Sequence, residues 1–444
     1  MTQTMQGREE FGADRRGDID PPQVGRSLPR IWGLALSVLV LGSLVGLSSG
    51  LLALFFEWTQ HTVLGFVESP GVSTPSQVPT LRRVASVLIG GLVASLIWWF
   101  LRNRTRKVPS VGQAVKGADM PVWQTVLHVL TQIFLVATGG SIGREVAPRE
   151  AGAMLGGIWW RAASRLGLRK DDRSLLVAAA AGAGFAGIYI APLTGTFFGI
   201  EVLLTGVDMT AVLVTLSMSC LATLVGGSIK GFDSYYLVGH DSFSPWFMAF
   251  VLLAGPVMGL AGAGFRWLTT WAQNHRTTGP AIIWQLTGVA LLTGLVSIWM
   301  PEVMGNGRAL AQVGMSQHAV SGDSLVALLI PVCALLIMAL AKAVLTTATI
   351  RAGASGGTLT PSIALGSSLG AAMGLVVSWW FPGLPLWQCA VLGAAALLAA
   401  SQSAPLMAMS MLMEVCHLPV GGFMPLGFAV ALSVAVSRLL PSER

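Results

Sequence analysis

From Ala352 to Met413 the chain runs 62 residues without one Asp, Glu, Lys or Arg. A soluble domain keeps charged side chains at about a quarter of its positions, because its outward faces must meet water. A run this long has no such face, and it exceeds the roughly 20 residues of one membrane-spanning helix. Uncharged runs also occupy 31–56, 84–101, 174–200, 209–229 and 415–437. Charged residues make up 11% of the whole chain and apolar ones 53%. The chain therefore reads as an all-α polytopic membrane protein. A β-barrel would instead alternate apolar and polar residues in segments of about ten.

The formal charge of +7 does not point to nucleic acid. The basic residues sit in short loops, where positive charge sets topology. Arg102, Arg104, Arg106 and Lys107 follow the second apolar run, and Arg161, Arg165, Arg169, Lys170 and Arg173 form a later cluster. With the first cluster cytoplasmic, two crossings place the N-terminus there too. Residues 1–30 hold five Arg and five acidic residues and no apolar run, so they read as a disordered cytoplasmic tail. The C-terminus is expected on the same side, in the plasma (inner) membrane of a cell, with no cytosolic regulatory domain after the last span. Cys220, Cys333, Cys389 and Cys416 stand singly, and the six histidines are dispersed. Neither pattern has the spacing of a metal site or disulfide framework. No cofactor is expected.

An internal repeat is written at one offset. Pro148 and Pro361 lie 213 positions apart, each with a glycine five residues before it, Gly143 and Gly356. Ala191-Pro192-Leu193 recurs as Ala404-Pro405-Leu406, and Glu201-Val202 as Glu414-Val415, both at the same offset. Two membrane repeats follow, 31–230 and 242–440, joined by a polar loop at 231–241. Repeats of this kind place a transport site at their interface near mid-membrane.

The chemistry concentrates where apolar runs break. Gly143-Arg144-Glu145-Val146-Ala147-Pro148 sets a carboxylate among glycines and a proline, between two such runs. A carboxylate at membrane depth is costly and is normally kept where it faces a pathway or partner. Broken helices whose N-termini point inward offer backbone N–H groups to an anion. Glu145 reads as a gate, a tethered anion where a mobile anion would bind; an ion pair with Arg144 or Arg149 is the structural alternative. Gly353 to Pro361 is a glycine-rich break that helix packing alone does not explain. Ser110, in Pro109-Ser110-Val111-Gly112, is either a helix N-cap or an anion-binding hydroxyl. Glu201 and Glu414, related by the repeat, suggest a shared packing or capping role.

At these residues the chain resembles the CLC family of chloride channels and chloride/proton antiporters. Gly143-Arg144-Glu145 with Pro148 is similar to the family's gating motif, its proline one residue late. Gly357-Thr358-Leu359-Thr360-Pro361 is similar to a second motif, Gly-x-Phe-x-Pro. The segment from Lys342 through Gly353 to Ser362, and Ala404-Pro405-Leu406 through Glu414, resemble further family segments. The resemblance, which spans residues 31 to 438, implies an inverted-repeat fold with broken helices meeting at an anion pathway, paired as a homodimer in the bilayer. It implies Glu145 as the gate and chloride or another small anion as the passenger. It marks Ser110, Gly143, Arg144, Val146, Ala147, Gly356, Gly357, Thr358, Leu359 and Thr360 as anion-binding.

Three departures bear on mechanism. Ser110 is a weak match to the family's central-site serine. The central-site tyrosine has no counterpart in sequence, since Tyr189, Tyr235 and Tyr236 lie away from the motifs. The antiporters' inner proton-relay glutamate falls at Val202, which cannot carry a proton. The sequence thus points to a gated chloride channel, with chloride/proton antiport as the alternative on the same fold. A membrane-embedded enzyme would need clustered His, Asp or Cys at depth, and none is seen; a scaffold would not need glycine-rich breaks in both halves.

Overall fold

A computed structural model describes residues 24–163, 166–243, 247–319 and 324–440, and its regular structure is helical. The first half holds α1 (Val24–Thr59), α2 (Thr80–Arg104), α3 (Val111–Val115), α4 (Val122–Ala137) and α5 (Val146–Ala162). It continues with α6 (Asp172–Tyr189), α7 (Pro192–Phe197) and α8 (Met209–Lys230). The second half holds α9 (Phe247–Asn274), α10 (Ala281–Val296), α11 (Arg308–Met315) and α12 (Leu325–Arg351). It closes with α13 (Leu359–Ser378), α14 (Leu386–Gln402), α15 (Pro405–Val415) and α16 (Phe423–Leu439). Among the described residues, seven helical segments are long and apolar enough to cross a membrane. Others, such as α7 and α15, are too short. They survive because their N-terminal donors are satisfied within the protein, as irregular backbone at membrane depth requires, although Leu193 and Leu406 on their outer faces are exposed.

α6 and α14 form the centre. Both are rich in alanine and glycine, and almost every residue of each is buried. A helix apolar around its whole circumference belongs in an interior. Small residues let its neighbours come close: a Cβ on Gly182 would strike the Gly195 carbonyl, and one on Gly195 the Gly182 carbonyl. The α13–α14 pair repeats the device at Gly366 and Gly393.

The 213-residue offset is carried through the backbone. α5 and α13 begin at 146 and 359, α6 and α14 end at 189 and 402, and α7 and α15 begin at 192 and 405. Ile190 and Ser403, which end α6 and α14, both adopt the left-handed conformation, at φ 55° and 54°. The next N–H, of Ala191 and of Ala404, closes back on Ala186 and Ala399, a left-handed C-cap followed by proline. Gly143 and Gly357, near-equivalent residues, pair antiparallel through two 2.8 Å hydrogen bonds. Equivalent segments that meet antiparallel run in opposite directions, as an inverted repeat requires.

Glu201 and Glu414 complete the relation. The Glu201 carboxylate accepts the Leu406 and Met407 N–H groups at 3.2 and 2.9 Å. Glu414 accepts the Leu193 and Thr194 N–H groups at 2.7 and 2.8 Å and the Thr194 hydroxyl at 2.6 Å. Each half caps the broken helix of the other, which is the capping role their spacing suggested.

Two expectations need correction. Residues 24–30, assigned to a disordered tail, are helical within α1; residues 1–23 lie outside the described residues. Pro29, the sixth residue of the helix, removes one helical N–H, and the Arg30 guanidinium anchors the helix on Asp172 at 2.7 Å. The connecting loop is not simply polar. Tyr235 and Tyr236 turn inward and are buried, both donating their N–H to the Val415 carbonyl.

The cross-capping predicts a graded loss of stability. Glu201→Ala and Glu414→Ala should each lower thermal stability in detergent, by about 0.5–2 kcal/mol as for other helix caps. Glu414→Ala should cost more because three donors lose their acceptor. Equal melting of both variants with the parent protein would show that these carboxylates are not caps.

Candidate functional site: the carboxylate at a broken-helix junction

The junction is built by two loops that meet at the pseudo-two-fold axis, or dyad, relating the two inverted repeats. After α4, Gly139 turns the chain at φ 108° and the backbone reaches Gly143; after α12 it reaches Gly357. The antiparallel pairing of these two glycines brings the starts of α5 and α13 together. Both helices carry proline at their third position, Pro148 and Pro361, where a missing N–H costs nothing. Lys342 braces the first loop from within α12. Its fully buried Nζ donates to the Ser141 hydroxyl at 3.0 Å and to the Val303 and Gly305 carbonyls at 3.0 and 2.7 Å.

Glu145 is fully buried. Its backbone caps α5, yet its side chain makes no bond to that helix. The carboxylate crosses to the other half and accepts the Leu359 N–H at 2.6 Å and the Thr360 hydroxyl at 3.3 Å. Leu359 is the first residue of α13, so the carboxylate meets unpaired donors and the positive end of the helix dipole together. The glycines make this possible: a Cβ on Gly357 or on Gly143 would collide with a Glu145 carboxylate oxygen. Gly356 faces the Ile142 side chain, so its role is closeness of the two loops.

The ion-pair alternative is not what the structure shows. Among the described residues no salt bridge joins Glu145 to Arg144 or Arg149. Arg149 Nε donates instead to the Glu145 carbonyl at 2.7 Å. Arg144 is buried over the Phe56 ring at 4.2 Å, with Tyr235 and Tyr189 at 5.7 and 5.9 Å.

The inverted repeat makes one further point. Three broken-helix N-termini receive a carboxylate from the opposite half: α13 from Glu145, α7 from Glu414 and α15 from Glu201. The fourth, α5, would by the same offset receive residue 358, and that residue is Thr358. The N-terminus carrying Val146 and Ala147 thus has no carboxylate partner from the repeat.

The remaining predicted residues are placed as follows. Ser110 caps the five-residue α3: its hydroxyl accepts the Gln113 N–H at 3.3 Å, and its own N–H donates to the Gln113 side chain at 3.0 Å. It is solvent-exposed and shares no hydrogen bond with the Glu145 cluster. Val202 lies half-exposed on the π-helical turn after α7, while the carboxylate beside it is committed to α15. Tyr189 is a site neighbour that sequence reasoning missed. Its buried hydroxyl lies 2.9 Å from Thr360 Oγ1 and extends the hydrogen-bond chain from Glu145. Its ring packs edge-on against Tyr235 at 5.3 Å, which in turn meets Tyr236 at 4.9 Å. All three tyrosines therefore sit on this junction. No motif spacing signals this, because Tyr189 and Thr360 are 171 positions apart. Lys342 had a visible signal, a lone lysine inside a long apolar run.

Known proteins share this architecture. The profile of a family described as "Voltage gated chloride channel" matches residues 90–438. A putative chloride channel protein, ClcB-like, from Ralstonia nicotianae is 30% identical over 396 residues, covering 85% of this chain and 88% of that protein. An H(+)/Cl(-) exchange transporter, ClcA, from Cronobacter sakazakii is 28% identical over 403 residues, covering 85% and 82%. The crystal structure of a slow cyanobacterial Cl-/H+ antiporter superposes with a TM-score of 0.76 at 20% identity, covering 92% of this chain and 95% of that one. A CLC-type fluoride/proton antiporter superposes at 0.67 with 22% identity, covering 91% and 95%. With the profile spanning most of the chain and the helix-junction carboxylate in place, this protein belongs to the CLC family of anion transporters.

Proposed function

We propose that Glu145 is the gate of a chloride pathway, and that its carboxylate occupies the position a chloride takes when the pathway is open. The observation that carries this reading is the 2.6 Å hydrogen bond from the Leu359 N–H to a buried carboxylate belonging to the opposite repeat. A carboxylate and a chloride compete for the same donors. Protonating Glu145 removes its charge and weakens its hold on Leu359 and Thr360, which frees them. The α5 N-terminus, with Val146, Ala147 and Arg144 beside it, supplies a neighbouring positive station. Roughly half a charge at a helix end attracts an anion without holding it as a full cation would, and conduction needs binding weak enough to leave. Gly143, Gly356, Gly357, Thr358, Leu359 and Thr360 complete the proposed lining, with Ser110 at a more peripheral position.

Two transport modes suit this gate. Passive, gated conduction follows from Val202, which offers no proton carrier, and relatives named as ClcB are described as channels. Chloride/proton exchange is the second reading, supported by a buried carboxylate, Glu150, on the same helix as the gate. In either mode the proposed activity is transport without a covalent step. We further propose a homodimer of two-repeat subunits in the plasma (inner) membrane, with both termini cytoplasmic. The basic loop around Arg102 to Lys107 supports that orientation.

Two variants test the gate in liposomes. Because protonating Glu145 would release its donors, chloride efflux should climb on acidification. Glu145→Gln should conduct chloride equally at acidic and neutral pH, and retention of the parent pH dependence would sink the gating role. Gly357→Ala should push the carboxylate off Leu359 and flatten the pH profile in the same way. A Gly357→Ala protein with unaltered efflux and unaltered pH dependence would mean that this glycine only packs helices.

A further inference from the structure

We propose that Glu150 is a proton-binding station that serves Glu145 from the basic-loop side of the molecule, a position at which Val202 offers no carboxylate. The inference rests on the exchange reading of the Glu145 gate. Glu150 lies in α5 with its side chain buried, and its carboxylate turns away from α13 towards α4. There the fully buried Gln132 Nε2 donates to Glu150 Oε2 at 2.6 Å, and His128 Nε2 stands 3.5 Å from the same oxygen. The Trp98 indole N–H donates to His128 Nδ1 at 3.0 Å. That bond fixes the neutral tautomer, so the ring proton sits on Nε2 and faces Glu150.

Two features separate this network from ordinary packing. A glutamine at position 150 could accept the same bonds without the cost of a buried carboxylate; what a carboxylate adds is the capacity to take up a proton. Gln132 Oε1, on the other end of the amide, is buried without a partner. When Glu150 is ionised, Gln132 presents its NH₂; when Glu150 is protonated, a flip of the amide presents Oε1 to the new O–H. One residue thereby satisfies both protonation states, and the orphaned oxygen is the half of it that the ionised state leaves idle.

The charged groups around Glu150 are Arg149 on its own helix and Arg276 in the loop between α9 and α10, and the neutral His128 on α4 is the titratable neighbour. No other charged side chain bonds or pairs with it among the described residues. The network leads towards the basic end of α2: the Arg102 guanidinium lies 5.6 Å over the Trp98 ring and donates to the Gly353 carbonyl at 2.7 Å. Glu145 and Glu150 are five residues apart, about 7.5 Å of backbone rise along α5 at 1.5 Å per residue, with one carboxylate on α13 and the other on α4, so the proposed transfer between them runs through water. In the proposed step the Glu145 carboxyl gives its proton through water to the Glu150 carboxylate. Glu145, again an anion, returns to the Leu359 N–H and Thr360 hydroxyl. Glu150, now neutral, passes the proton to water on the basic side and takes back the Gln132 amide N–H.

The test is purified protein in liposomes under a chloride gradient, with chloride efflux and internal pH recorded together. The parent protein should move protons uphill. Glu150→Gln should cut that proton flux by about a hundredfold, the lower end of what a positioned proton carrier contributes, while chloride efflux persists. Glu150→Asp, which keeps the titratable group, should retain proton movement. Proton flux in Glu150→Gln equal to the parent overturns the proposal, as does a parent that moves chloride but no protons. Joint loss of both fluxes in Glu150→Gln assigns the residue to structure and also overturns it. Absence of chloride efflux from the parent would instead refute the transport reading itself.

Discussion

Backbone N–H groups at the start of a helix have no partner within it, and at membrane depth there is no bulk water to supply one. The architecture described above is organised around that constraint. The fold breaks several of its helices in mid-protein, so it creates buried N-termini, and it answers three of them with carboxylates reached across the dyad. The answer is strong because each carboxylate meets two or three donors and a helix dipole at once. It is also reciprocal, since Glu201 and Glu414 each stabilise the half they do not belong to. The two halves therefore depend on each other for satisfied backbone as well as for packing.

Glu145 uses the same interaction under different conditions. Glu414 is held by three donors at 2.6–2.8 Å, whereas Glu145 has one short bond and one at 3.3 Å. A hydrogen bond to a charged group contributes about 1.5–3 kcal/mol. One such bond with a weaker companion is a hold that protonation or a competing anion can release. Gly143 and Gly357 keep the space around the carboxylate free of side-chain atoms. The proposed gate thus differs from the Glu414 cap in having fewer donors on its carboxylate.

The aromatic cluster beneath the junction stiffens one side of it. Tyr189, Tyr235 and Tyr236 pack edge-to-face, and the first two enclose the Arg144 guanidinium with Phe56. A ring face attracts a cation, so Arg144 is accommodated without being paired to Glu145. This leaves the Glu145 carboxylate without a salt bridge to Arg144. Lys342 does the corresponding work in the loop before Gly143, where its three donors are spent on Ser141 and two carbonyls rather than on the gate.

Much of this was legible in the residues alone, for a definable reason. Membrane class, the two repeats and a shared packing or capping role for Glu201 and Glu414 follow from local composition and from one fixed offset. Both survive in a linear string because apolar length and repeat spacing are themselves linear quantities. Glu145 stood out for the same reason: a carboxylate between apolar runs is anomalous wherever it folds. Its partner was less visible. That its side chain would leave α5 and meet Leu359 depends on how two loops pair, 214 positions apart. The burial of Tyr235 within a loop that reads as polar, the approach of Tyr189 to Thr360, and the pairing of Glu150 with Gln132 and His128 depend on packing between helices. Helix register, which decides the neighbours of each side chain, is set by the contacts of all the helices together. Sequence by itself determined that this chain crosses a membrane as two related halves with a costly acid between them; only the tertiary structure decided what that acid touches, because hydrogen bonds are made in space.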